Sequence, residues 1–307
     1  MPWDPEHIPT QVGKTFVVTG GNAGIGYFIA EQLAAAGGQV VITSRTQARA
    51  DAALAAIRAQ VPGAQVSAVL LDLSSFASVR AAAATLSSLP RIEALIENAG
   101  SIMATKGRAE TEDGNELMFG TNHLGHFLLT ALLFPTLEKT PASRIVTVGS
   151  GATRLRGFDL DDLQSTKGRY SAFGTYARSK HATQSFGFEL DRRLRAAGSS
   201  VTALVAHPGG AQDGNSPRRP GVLEPTSGER LRARLLFFIG GSKETAAWSI
   251  VRAATDPDAR GGDYWGPRNN LSGPPVRQKP AAQSHGAGAG ASLWRTSEDL
   301  VGQRFPI

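Results

Sequence analysis

Short apolar runs, each followed by a helical pattern, set the strongest limit on how this chain can fold. Phe16-Val17-Val18, Val40-Val41-Ile42, Val66 to Leu71, Ala94-Leu95-Ile96, Arg144 to Val148 and Val201 to Val205 read as strands that lack the polar alternation of a water-facing sheet. Helical segments separate them. Ile25, Phe28, Ile29 and Leu33 share one face of the first, which Gly37-Gly38 stops. Thr46 can cap an Ala-rich helix that runs to about Gln60 and ends at Pro62-Gly63, and Ser74 begins another. Buried strands alternating with helices predict an α/β chain with one doubly wound parallel sheet and helices on both faces.

The pattern loosens after Pro208. Residues 212–228 are rich in Gly, Pro, Ser and Arg and read as a mobile loop, 229–255 read as helical, and Gly262 to Gly266 read as a short last strand. Residues 272–291 are dominated by Pro, Gly and Ala and are expected to be poorly ordered, with a short helix from Leu293 to Val301. The expected organisation is one catalytic domain over 1–271, with a substrate loop or lid at 210–240, and a low-complexity tail over 272–307.

Composition excludes several classes of function. The 307 residues contain no cysteine, so neither a disulfide framework nor a thiolate metal site is available. The formal charge of +6 comes from Lys and Arg spread along the chain, not from a basic cluster with interleaved aromatics, which argues against nucleic acid as a partner. Met1 to Glu6 has no secretory pattern and no apolar run approaches the roughly 18 residues of a membrane span, so the expected location is the cytoplasm. His123 and His126 stand three apart with no carboxylate at a ligand spacing, and no metal site is expected. Leu235 to Ile239 reads as a lid or core segment more than a membrane-surface patch, and Trp265 and Trp294 as packing residues.

Gly20, Gly24 and Gly26 lie between the first strand and its helix, with Asn22 and Ile25 in the same turn. Glycines there let the backbone approach a pyrophosphate, while the helix N-terminus offers free N–H groups. An acid at the end of the second strand would bind a ribose 2′-hydroxyl; this chain has Ser44-Arg45 there, and a guanidinium suits a 2′-phosphate. A Rossmann-type site for NADP(H) is the expectation. Asp72-Leu73 ends the third strand, where the carboxylate either accepts from the adenine amino group or caps the helix beginning at Ser74.

Tyr176 and Lys180 are one helical turn apart and share a face. A nearby ammonium is expected to lower the phenol pKa, so that the pair donates a proton in carbonyl reduction and accepts one in alcohol oxidation. Ser150 follows the fifth strand at the sheet edge where ligands bind, and its hydroxyl can polarise a substrate oxygen. Asn122 falls in a helix and can hold a water linking Lys180 to solvent.

From about residue 12 to 266 the chain resembles the short-chain dehydrogenase/reductase family. Thr19 to Gly26 matches its glycine turn, Asn98-Ala99-Gly100 its fourth-strand motif, Asn122, Ser150, Tyr176 and Lys180 its catalytic tetrad, and Pro208-Gly209 the turn after its sixth strand. The resemblance implies that Asn98, Ala99, Gly100, Pro208 and Gly209, with Tyr176 and Lys180, contact the cofactor. Thr121 to Phe127, His207-Pro208-Gly209, the long interval between Ser150 and Tyr176, and Gly157 to Leu163 are similar to the branch of retinol dehydrogenases and WW-domain oxidoreductases. With no membrane anchor or WW module, the chain resembles a soluble bacterial member. Three departures stand out: Glu97 where the family usually has Asn, Gly149 where it has Ser, and Asp213 where it often has a Thr on the nicotinamide amide.

These features predict an NADP-dependent oxidoreductase that moves a hydride between nicotinamide and an alcohol or carbonyl, with Tyr176 as general acid/base. The expected partner is a small molecule, a lipophilic ketone, aldehyde or alcohol by resemblance, with neither membrane nor nucleic acid, and a homodimer is an option. The alternatives are a C=C reductase using the same Tyr/Lys pair and a non-catalytic NADP-sensing regulator.

Overall fold

Eight strands make the central sheet, and their burial follows their place in it. The computed structural model describes residues 4–5, 7–102, 107–236 and 240–307. Strands β1 (Thr15–Val18), β2 (Gln39–Ser44), β3 (Val66–Leu70), β4 (Ala94–Glu97), β5 (Arg144–Val148) and β6 (Thr202–Ala206) lie parallel, in the order β3-β2-β1-β4-β5-β6. After two short paired strands, β7 (Ala211–Gln212) and β8 (Gly241–Ser242), β9 (Tyr264–Pro267) adds to β6 in parallel and β10 (Pro275–Arg277) closes the edge antiparallel. The central strands β1 and β4 are fully buried, while edge strand β3 buries only Val66 fully and leaves Leu70 exposed. Pro275 is tolerated because it lies on an edge strand.

Helices cover both faces, as the sequence predicts. Helix α1 (Gly24–Ala35) follows β1, α2 (Gln47–Gln60) follows β2, and α3 (Phe76–Leu86) follows β3. Helix α3 starts later than expected because Ser74 is held back: its N–H and hydroxyl both donate to Asp72 Oδ1 (2.9 and 2.6 Å), and Ser75 supplies the cap. Helix α4 (Leu117–Glu138) contains a π-helical turn at Gly120–Leu124 and carries Asn122. Contrary to expectation, α4 is long and apolar enough to cross a membrane, with a mean hydropathy of 1.3; yet 83% of that window is buried, as in the core helix of a soluble fold. Helix α5 (Ala172–Ala196), capped by Ser171, packs beside it.

The region after β6 departs most from expectation. Residues 229–255 are not one helix but parts of two, α6 (Ser227–Leu235) and α7 (Lys243–Thr255). Thr226 and Glu229 form a capping box that starts α6, and Ser242 caps α7. The apolar run ending in Phe237, Phe238 and Ile239 lies partly outside the described residues. The loop expected to be mobile is strapped to α1. Arg219 makes a two-pronged ion pair with Glu31 (2.6 and 2.7 Å) and lies 5.4 Å from the Phe28 ring centroid.

Residues 272–291, expected to be poorly ordered, carry β10, a single turn at Ala282–His285 and the start of α8 (Ala287–Val301). Composition misled here because packing, not propensity, orders the segment. Leu293, Trp294, Val301 and Phe305 join the core over α4 and α5, and Trp294 stacks near Phe127, Phe186 and Phe305 at 5.3, 5.8 and 4.8 Å. Trp265, a packing residue as expected, is buried between Arg252 and Arg277 at 4.3 and 4.9 Å.

Candidate active site

The glycine turn brings two backbones into contact. A Cβ on Gly26 would lie 2.4 Å from both Asn98 Nδ2 and the Gly20 carbonyl oxygen, so only glycine lets α1 begin this close to the ends of β1 and β4. Gly24 has φ +59° and faces open space, and no side chain caps α1. The helix therefore presents free N–H groups at the carboxyl edge of the sheet.

These residues open onto a cleft of about 680 Å³. Gly20, Asn22, Gly24, Ile25, Ser44, Arg45, Asp72, Leu73, Asn98, Ala99 and Gly100 all line it. Gly26 lies beneath the lining, and Pro208 and Gly209 stand outside it, in the loop after β6. Sequence reasoning missed Arg49, Thr121 and Lys243, which also line the cleft. Arg49 was detectable, since it lies four residues beyond Arg45, in the first turn of α2. Both arginines are exposed, and neither pairs with a carboxylate among the described residues. The Thr121 hydroxyl is buried without a hydrogen-bond partner among the described residues, an unmet polar group at the cleft wall. An uncapped helix, a glycine cradle, an unmet hydroxyl and two free guanidinium groups fit a phosphorylated dinucleotide. Asp72 accepts two hydrogen bonds from Ser74, in the turn before the Ser75 cap, and also borders the cleft.

Asn122, Ser150, Tyr176 and Lys180 gather beyond Gly100. A Cβ there would lie 3.2 Å from Asn122 Oδ1 and 3.6 Å from Lys180 Nζ. Ser150 lies close enough to Tyr176 to act on its phenol, and Ser150 Oγ accepts from the Ala152 N–H at 3.2 Å. Burial is the larger influence on Tyr176 and pushes its phenol above the ordinary range, against the lowering by Ser150. The expected lowering by Lys180 is not what the geometry yields. Lys180 Nζ donates to the Val148 carbonyl (2.8 Å), and burial depresses its own pKa to about 8. Asn122 differs from expectation too. Its Nδ2 donates to Ser101 O (3.1 Å) and Ser179 Oγ (2.9 Å), and its Oδ1 accepts from Ser101 N (2.6 Å). The side chain clamps the Gly100 loop to α5, which leaves the water relay a proposal.

Two departures from the family pattern acquire physical reasons. A side chain at 149 would meet Gln184 Nε2 at 2.5 Å, and that same amide donates to the Ser150 carbonyl at 3.1 Å. Gln184, also missed in the sequence, thus fills the space of the absent serine and braces Ser150. Glu97 is fully buried at the end of β4, where Thr130 and Thr147 donate to its two carboxyl oxygens. Burial raises its pKa to about 7, against the lowering by the threonines and Lys180. A carboxyl whose pKa is raised on folding stabilises the protein fully below its unfolded pKa and loses that stabilisation as pH rises. Urea stability should therefore fall between about pH 4.5 and 7, by on the order of 3 kcal/mol from this group alone, and Glu97→Gln should flatten the fall. Parallel pH profiles for the two proteins would refute this.

The histidines serve structure. His126 Nδ1 contacts the Asn122 carbonyl (3.1 Å) and its Nε2 contacts Thr19 Oγ1 (2.9 Å), which accepts from the Ala99 N–H (3.0 Å). His123 bonds Ser297 on α8 at 2.7 Å. Burial holds both below their ordinary range, at about 4 and 3, so both are neutral. Among the described residues no group of three or more His, Cys, Asp or Glu could hold a metal ion.

Comparison with known proteins gives a consistent result. The family profile described as short chain dehydrogenase matches residues 14–216. The chain is 39% identical over 262 residues to polyprenol dehydrogenase of Mus musculus, covering 84% of this chain and 76% of that protein. It is 35% identical over 298 residues to retinol dehydrogenase 13 of Homo sapiens, covering 96% and 86%. Among solved structures, an uncharacterized protein from Mycobacterium paratuberculosis is similar over the whole of both chains, with a TM-score of 0.81 and 33% identity. A Burkholderia cenocepacia short chain dehydrogenase in complex with NADP shares the fold, with a TM-score of 0.62 and 24% identity over 86% of this chain and 98% of that one.

Proposed function

The chain belongs to the short-chain dehydrogenase/reductase family, on the side of the retinol dehydrogenases, and we propose that it reduces a lipophilic carbonyl with NADPH or runs the reverse alcohol oxidation. Family membership makes it an NAD(P)-dependent oxidoreductase acting on alcohol and carbonyl groups. The observation that carries the finer reading is the placing of Asn122 and Lys180 against Gly100 at the end of the nucleotide cleft, with Ser150 acting on the Tyr176 phenol.

The cofactor, when bound, supplies or accepts the hydride at nicotinamide C4. Tyr176, kept protonated by burial, donates its phenolic proton to the substrate oxygen as negative charge develops there. Ser150 hydrogen-bonds the same oxygen and so stabilises that charge. Lys180 lies buried beside them, its ammonium held by the Val148 carbonyl, and after each turnover gives a proton to the phenolate and takes one back from solvent. Substrate class is supported by the named substrates of the relatives, polyprenol and retinol, both lipophilic alcohols. It is also supported by exposed Ile102, Leu155, Leu231, Leu235 and Leu271, which all lie in segments that follow the carboxyl ends of parallel strands. NADPH oxidation against a panel of apolar and polar carbonyls tests the proposal. Turnover confined to apolar carbonyls is expected; tight NADPH binding with no turnover on any carbonyl would favour a regulator instead.

Cofactor choice rests on Arg45, with Arg49 beside it. In Arg45→Asp the mutant should lose NADPH affinity by more than about tenfold, since a charge-assisted hydrogen bond is worth roughly 1.5–3 kcal/mol and each 1.4 kcal/mol is a factor of ten. NADH affinity should hold or improve. An unchanged ratio of the two dissociation constants would remove Arg45 from the site.

A further inference from the structure

Asp213 poses a problem that its surroundings answer. A carboxylate in the loop after β6, close to where an anionic cofactor sits, should repel it. Asp213 Oδ1 lies 2.5 Å from Lys243 Nζ, and Lys243 itself lines the nucleotide cleft. The pair is held from both sides. Ala211–Gln212 pairs with Gly241–Ser242, the Gly241 N–H donates to Gly210 O (3.0 Å), and the Lys243 N–H donates to Ser216 Oγ (2.9 Å). Lys243 opens α7, which packs against α1, the helix whose uncapped N-terminus faces the cleft. Arg45 and Arg49 stand at the other flank, beyond β2.

We propose that Lys243 is a binding residue for the cofactor pyrophosphate and that Asp213 is its anionic placeholder: the ammonium exchanges the carboxylate for the phosphates when the dinucleotide binds. The proposal rests on the dinucleotide reading of the cleft. Three cations then serve two anionic sites, the arginines the 2′-phosphate and Lys243 the pyrophosphate. Until the dinucleotide binds, Asp213 neutralises the ammonium at the cleft wall.

A double-mutant cycle on the full chain decides it, with dissociation constants for NADPH and for adenosine 2′,5′-bisphosphate, which lacks the pyrophosphate. Lys243→Ala should weaken NADPH at least about fivefold and leave the bisphosphate within twofold, while Asp213→Asn should tighten NADPH by removing the competing anion. Lys243→Arg, which keeps the charge, should bind NADPH close to the wild type. The double variant should remain as weak as Lys243→Ala. Recovery of wild-type affinity in the double variant would overturn the proposal, because Lys243 would then only neutralise Asp213. Equal weakening in both single variants would also overturn it, because the pair would be a loop latch. If the wild type binds neither ligand, the dinucleotide reading itself fails.

Discussion

Tyr176→Phe is expected to bind NADPH with little change and to lose at least about 100-fold in turnover with any carbonyl substrate, the lower end for general acid catalysis. The substitution removes one hydroxyl, the group on which Ser150 acts, and keeps the ring. The phenol is driven toward its protonated form by burial, which suits a donor to a carbonyl and disfavours an acceptor from an alcohol. Reduction should therefore keep its rate across neutral pH and fall only at alkaline pH. Oxidation requires the phenol to give up its proton first and should rise with pH. Stopped-flow turnover and cofactor titration of the one variant measure both halves. Near-native turnover would take Tyr176 out of the chemistry, and lost NADPH binding would make it a cofactor residue instead.

Trp294→Ala should cost about 3–5 kcal/mol of stability, the range for truncating a buried aromatic. The ring is 4% exposed, meets Phe127, Phe186 and Phe305, and lies 4.3 Å beneath the Arg193 guanidinium. Trp294→Phe should recover much of the loss by keeping an aromatic ring in the space. Urea titrations of both variants are the measurement. A Trp294→Ala midpoint equal to the wild type would mean that α8 is a detachable appendage and not part of the core.

Legibility in the sequence followed the length scale of each feature. The strand-turn-helix around Gly20 to Gly26, the Arg45 strand end and the Tyr176–Lys180 pair are local patterns whose spacing already fixes shared faces. Ser150 and Asn122 were found because they recur in a known order, although Asn122's actual partners, Ser101 and Ser179, belong to other segments. Gln184 and Lys243 carry no local signal. Their roles exist only once α5 meets the end of β5 and α7 meets the loop after β6. The segment after Gly273 misled for the converse reason: its glycines and alanines have weak preferences, and Trp294 and Phe305 gain their order from contacts with distant α4. The Tyr176 phenol shows the same limit in electrostatics, since sequence names the ammonium four residues away but not the desolvation that dominates.

The position of Phe305 against Phe127 and Phe134 also dictates when this protein can finish folding. About 170 residues separate the two sides of that contact, and at roughly 5–20 residues per second their synthesis takes on the order of ten to thirty seconds. Through that interval the outer face of α4 waits on the ribosome with its phenylalanines uncovered, although the strands beneath it can already pair. Chaperone capture should therefore concentrate on nascent chains that have released α4 and not yet α8, and it should fall away once residue 305 emerges.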